Sequence, residues 1–135
     1  MTAVDTAPDW LQAGYDSIWM PYTQMQTAPL PQAAVATQGS RITLADGREL
    51  IDGVASWWAA CHGYNHPHIV DAIRTQAARI PHVMLAGLAN EPAFTLAARL
   101  PDLLDLPGYR AFFSESGSVA VEVALKIAAQ YWHNR

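Results

Sequence analysis

Cysteine and lysine each occur once in this 135-residue sequence, as Cys61 and Lys126. A single cysteine excludes an intramolecular disulfide framework and suits a reducing compartment, so the expected location is cytoplasmic. Basic runs are missing too. The seven arginines are scattered and the formal net charge is −4, which argues against a nucleic-acid partner. No stretch reaches the roughly 18 consecutive apolar residues that a membrane span needs, so no membrane partner is expected. The opening MTAVDTAPDWLQAGYD is acidic and lacks the basic and apolar regions of a signal peptide. Low-complexity blocks and internal repeats are absent. Neither a Walker loop nor a G-x-G-x-x-G occurs, which removes both of those nucleotide-binding readings.

What is present is a globular composition, 51% hydrophobic and 15% charged, in a chain of one ordinary domain's length. Residues 1–40 carry Pro8, Pro21, Pro29 and Pro31 and read as irregular. Next, RITLADGRELIDGVASWW reads as a hairpin, with Ile42 and Leu44 before an Asp46-Gly47 turn and Leu50 and Ile51 after it. Ile69, Ile73, Ala77 and Ile80 fall at helical spacing. A further helix is expected from an Asn90 N-cap with Pro92 in its first turn, ended or kinked by Pro101. Last come a strand over residues 109–113 and a helix from about Ser118. The final helix–strand–helix order gives an α/β class. One sheet-core strand cannot cover the helices around it, and KIAAQYWHNR shows no stop signal. The sequence therefore reads as the first part of something longer.

The joint FFSESGSVAVEV raises a chemical question. In the last helix Glu122, Lys126 and Gln130 form one narrow polar stripe, and the rest is apolar or small. The first amides of any helix lack intrahelical acceptors and sit at the positive end of its dipole. Ser116 or Ser118 can cap it, but the positions where a capping box wants Glu or Gln hold Val119 and Val121. Two readings stand. Either a serine N-cap adjoins a glycine turn, or Gly117 allows close backbone approach and Ser118 adds a donor, making a phosphate cradle.

SWWAACHGYNHPHI is the second unusual stretch. Neighbouring strand residues face opposite sides, so adjacent tryptophans are hard to bury together. Trp57 and Trp58 pack in a core or subunit interface, or one or both border a ligand. His62, His66 and His68 with Cys61 lack a matching ligand cluster elsewhere, and the run reads as a turn into a helix rather than a metal site. Cys61 has no identifiable activating base, so it is not assigned as a nucleophile.

In this order WMPYTQM, SWWAACHGYNHP, HVMLAGLANEPA and FFSESGSVAVEVALKIAAQYW resemble the start of the class III, fold type I, pyridoxal-phosphate aminotransferases. The resemblance runs from about Trp19 to the end, roughly the first third of a typical member. After Ser-Gly-Ser the wider class often has Glu. Val119 here, with the paired tryptophans and the Pro-Tyr-Thr-Gln run, points to the adenosylmethionine-8-amino-7-oxononanoate, or diaminopelargonate, branch.

The resemblance implies an α/β fold. Residues 1–60 form an N-terminal segment and β-hairpin of the small domain, and residues 61–135 begin the large mixed-sheet domain. It implies pyridoxal 5′-phosphate as cofactor, its phosphate held by Gly117 and Ser118. Trp57 and Trp58 line the substrate pocket, and Tyr22 meets the keto substrate and stacks on the adenine of S-adenosylmethionine. The amino group moves from that donor to 8-amino-7-oxononanoate, giving 7,8-diaminononanoate for biotin synthesis, in a homodimer. Such chemistry needs a Schiff-base lysine. Lys126 lies two turns into the apolar helix opposite Glu122, which is the wrong place. No catalytic residue is therefore expected within this chain, which alone is expected to be inactive, and the lysine is expected downstream. The alternatives are another class III aminotransferase with a different amino donor, and a non-catalytic remnant or interaction module.

Overall fold

The computed structural model of the protein describes residues 7–135, in two compact units divided after Pro81. In the first unit a short helix, α1 (Asp9–Tyr15), precedes a three-stranded antiparallel sheet of β1 (Ala34–Gln38), β2 (Arg41–Leu44) and β3 (Glu49–Ile51), in that spatial order. Helix α2 (Pro67–Arg79) follows. The Asp46-Gly47 hairpin forms as its sequence predicts. Thr43 pairs with Glu49 and Arg41 with Ile51. Gly47 supplies φ +85°, and the Asp46 carboxylate accepts from the Arg48 amide at 3.0 Å and from its Nε at 2.7 Å. This is the usual division of labour in such turns.

The irregular reading of residues 1–40 misses two elements. Strand β1 pairs Gln38 with Arg41 across a Gly39-Ser40 turn and Ala34 with Leu44, with an irregularity between Ala34 and Ala36. Its run Ala-Val-Ala-Thr-Gln carries little periodic signal of its own, and pairing with β2 supplies the strand state. Helix α1 has seven residues and no side-chain cap, too short to announce itself by periodicity. The core is small: among the described residues only Leu44, 4% exposed, and Ala33, 8%, are buried apolar side chains.

The second unit, His82–Arg135, contains α3 (Glu91–Leu103) and α4 (Gly117–His133). Asn90 caps α3 by accepting from the Ala93 amide at 3.0 Å. Pro101 does not end it: the helix runs through Pro101 to Leu103, so the missing proline N–H costs one hydrogen bond near the end of the helix without stopping it there. The strand expected over residues 109–113 is not formed. Strand geometry needs a hydrogen-bonded neighbour; among the described residues the sheet contains only β1, β2 and β3, and Phe112 and Phe113 remain exposed. No helix among the described residues is long and apolar enough to cross a membrane.

Candidate functional site

Immediately after β3 the backbone does something costly. Ala55, Ser56, Trp57 and Trp58 have φ of 48°, 45°, 54° and 69°, a left-handed run of four residues that all carry Cβ atoms. Each such residue costs about 1–2 kcal/mol, and non-glycine residues ordinarily visit this region singly. Backbone bonds support the run: Trp58 N–H donates to the Val54 carbonyl at 3.3 Å and Ala60 N–H to the Ala55 carbonyl at 3.0 Å.

The stronger support comes from Asp52. One carboxylate oxygen accepts from the Val54 amide at 3.1 Å. The other accepts from the Ser56 amide at 2.8 Å, the Ser56 hydroxyl at 3.3 Å and the Tyr64 hydroxyl at 2.6 Å. The Ser56 and Tyr64 hydroxyls also touch each other. Donation from Tyr64, helped by the Val54 and Ser56 amides and opposed by desolvation, holds the Asp52 carboxyl below the usual carboxylate range. The same bond pushes the Tyr64 phenol up. Tyr64 is itself tied to the sheet. It exchanges two backbone bonds with Gly39, at 2.7 and 3.1 Å, and its neighbour Asn65 donates to the Thr37 carbonyl. Gly63 allows this approach, with φ +81°; a Cβ there would meet the Gly39 carbonyl oxygen at 3.3 Å.

The turn presents two tryptophans to solvent, Trp57 64% and Trp58 82% exposed. Trp57 meets Tyr22 edge to face, ring centroids 5.5 Å apart at 66°, a favourable aromatic geometry. Tyr22 also has positive φ, 54°, and is 93% exposed. The structure thus brings Tyr22 and Trp57 together and holds Trp58 beside them in the chain, with none of the three in a core. A hollow of about 320 Å³ borders the same loop, lined by Ser56, Ala59, Ala60, Tyr64, Ile69 and Ile73 among others. Sequence reasoning missed Asp52, Ser56 and Tyr64. The signal available was an aspartate with potential donors two and four residues on.

In the second unit, Ser116 is the residue that caps α4. Its φ of −153° is extended and its Oγ accepts from the Val119 amide at 3.2 Å. Ser114 Oγ donates to the Ser116 carbonyl at 3.3 Å, tightening the approach. The cap leaves the Gly117 and Ser118 amides and the Ser118 hydroxyl without acceptors among the described residues. No atom lies within 4 Å of a Cβ built on Gly117, so the backbone is open to a ligand there. Two free amides and a hydroxyl at the positive end of a 17-residue helix fit a phosphate. Lys126, two turns further on, pairs with Glu122 at 2.8 Å, both exposed. Among the described residues no group of three or more His, Cys, Asp or Glu side chains is placed to hold a metal.

Comparison with known proteins gives one consistent answer. The adenosylmethionine-8-amino-7-oxononanoate aminotransferase of Synechococcus elongatus is 53% identical over 117 residues, 87% of this chain and 28% of that protein. The crystal structure of the Methanocaldococcus jannaschii protein of the same name superimposes with a TM-score of 0.81 at 33% identity, over 90% of this chain and 28% of that one. An amine transaminase from an uncultivated Pseudomonas species, in a PLP-bound form, gives 0.76, also at 33% identity, over 85% and 27%. The chain therefore spans little more than a quarter of the length of these relatives. The aminotransferase class-III family model matches residues 22–135, and the chain belongs to that family.

Proposed function

We propose that this chain is the N-terminal part of an enzyme that moves an amino group from S-adenosylmethionine to 8-amino-7-oxononanoate, giving 7,8-diaminononanoate for biotin synthesis. The observation that carries the reading is the 53% identity to a relative of that name across 87% of the chain. Residues 1–60 are assigned to the small domain and residues 61–135 to the start of the large one. The assembly is proposed as a cytoplasmic homodimer, in keeping with the single cysteine and with the many large apolar side chains left exposed.

The cofactor is pyridoxal 5′-phosphate, which would supply the carrier for the amino group between the two substrates. The Gly117 and Ser118 amides and the Ser118 hydroxyl hold its phosphate, supported by the free donors at the start of α4. Tyr22 offers its ring face to the adenine of the donor and its hydroxyl to the keto substrate. Trp57 and Trp58 orient both substrates and exclude water. The lysine the chemistry requires is assigned to a part of the protein beyond this chain, since Lys126 stands two turns into α4, exposed and paired with Glu122, away from the joint.

A second reading, a class III enzyme with another amino donor, is favoured by the equal 33% identity to the amine transaminase. The intact enzyme is to be assayed for the diamine product with S-adenosylmethionine or a simple primary amine as donor. Product from S-adenosylmethionine is expected; product from the primary amine alone overturns the first reading in favour of the second.

A further inference from the structure

We propose that Asp52 is the positioning residue of the tryptophan turn: through Tyr64 and Ser56 it locks residues 55–58 in their left-handed conformation and so fixes where Trp57 and Trp58 stand. The role in catalysis rests on the assignment of those tryptophans to the substrates. Strain of this kind persists only where surrounding groups over-determine it. Here one carboxylate takes four donors, from Val54, Ser56 twice and Tyr64. Two of them are amides at the mouth of the turn.

The fourth donor anchors the clamp. Tyr64 is bonded at both its backbone N–H and its carbonyl to Gly39 in the β1–β2 turn, so the Asp52–Tyr64 bond fastens the tryptophan turn to the sheet. Without it, four residues with Cβ atoms relax toward right-handed or extended backbone, the Trp57 indole swings away from Tyr22, and Trp58 moves with the turn. Donation from Tyr64 and the two amides also lowers the Asp52 carboxyl, so its acceptors, available at neutral pH as in any aspartate, stay available further into acid.

The test uses the intact enzyme labelled with 5-fluorotryptophan, the Trp57 and Trp58 resonances being assigned by Trp57→Phe and Trp58→Phe. Asp52→Ala is expected to shift and broaden both resonances and to raise KM for both substrates about tenfold, with kcat changed less. Asp52→Asn, which keeps an acceptor for the amides, and Tyr64→Phe, which keeps the ring, are expected to fall between. Both remain informative if the alanine variant does not fold. Asp46→Ala, in the neighbouring hairpin, removes a carboxylate bonded to Arg48 rather than to the tryptophan turn and is expected to leave the resonances in place. Unchanged resonances in all three clamp variants overturn the proposal. Resonances that move while both KM values stay at wild type leave the clamp standing and overturn the assignment of the tryptophans to the substrates.

Discussion

Replacing Ser118 by alanine separates a phosphate site from an ordinary helix cap, because the two serines at this joint have different partners. The Ser116 Oγ is committed to the Val119 amide at 3.2 Å, while the Ser118 hydroxyl has no acceptor among the described residues. Ser118→Ala therefore removes nothing that holds α4 together. If Ser118 holds the cofactor phosphate as proposed, the substitution removes one charge-assisted bond worth about 1.5–3 kcal/mol, or a cofactor affinity lower by about 10- to 150-fold. Ser116→Ala does the reverse: it takes away the cap, at a cost to stability of about 1 kcal/mol, and leaves the Gly117 and Ser118 donors in place. Dialysis titration of the cofactor beside a urea melt, on the intact enzyme, measures both quantities for both variants. Equal cofactor affinity in wild type and Ser118→Ala, or a Ser118→Ala variant as destabilised as Ser116→Ala, would refute the assignment.

Tyr22→Ala is expected to raise KM for S-adenosylmethionine a few-fold to about tenfold, since an aromatic stack is worth about 0.5–1.5 kcal/mol beyond area burial; a wild-type KM in steady-state kinetics counts against the stack. Gly63→Ala is expected to destabilise the enzyme by about 1–3 kcal/mol in urea, from its φ of +81° and a Cβ 3.3 Å from the Gly39 carbonyl oxygen, and an unchanged midpoint would show that the loop gives way freely. Order in the tryptophan turn is expected to depend on pH at both extremes. Asp52 is lowered in the folded chain, so the stability it adds is complete above about pH 4 and fades as pH falls through its lowered value. Tyr64 is raised, so its share is complete below about pH 10 and fades as pH rises through the raised value. Fluorine spectra of the indoles across pH report both limbs, and an acid limb that survives Asp52→Asn assigns it to another group.

Much of the scaffold was legible because its signals are local. Asp46-Gly47 fixes a hairpin through its own side chain and a positive φ, Asn90 caps α3 with its own oxygen, and Ile69, Ile73 and Ala77 share one side of α2 by spacing alone. Strand β1 was hidden because Ala34 and Ala36 contribute almost no pattern and take their state from Leu44 and Thr43 opposite. The strand predicted at residues 109–113 failed for the complementary reason: apolar sequence without a paired neighbour does not fix strand geometry. At the candidate site the residue types could be named in advance, and the backbone could not. Adjacent tryptophans were conspicuous, yet nothing in SWW announces a left-handed turn. The cause is a carboxylate, Asp52, and a phenol, Tyr64, twelve residues apart.

The apolar character of α4 bears on how strongly its free donors bind. Glu122, Lys126 and Gln130 confine the polar surface to one stripe, while Val121, Leu125, Ile127 and Trp132 stand exposed around the rest. A helix apolar over most of its circumference is one built to be covered. Once it is covered, the amides of Gly117 and Ser118 sit at the edge of a region of lower dielectric. There, bonds to a phosphate are stronger than in water, and an unmet donor costs more. The loss on Ser118→Ala then belongs toward the upper end of its range in the intact enzyme and toward the lower end wherever α4 is left in water. Measuring the cofactor affinity of both serine variants in the intact enzyme and under mild denaturant that loosens the packing around α4 tests that gradient directly. A Ser118→Ala penalty that does not shrink as α4 becomes exposed means that the phosphate is held by charge and geometry at the joint alone, with no help from the apolar cover.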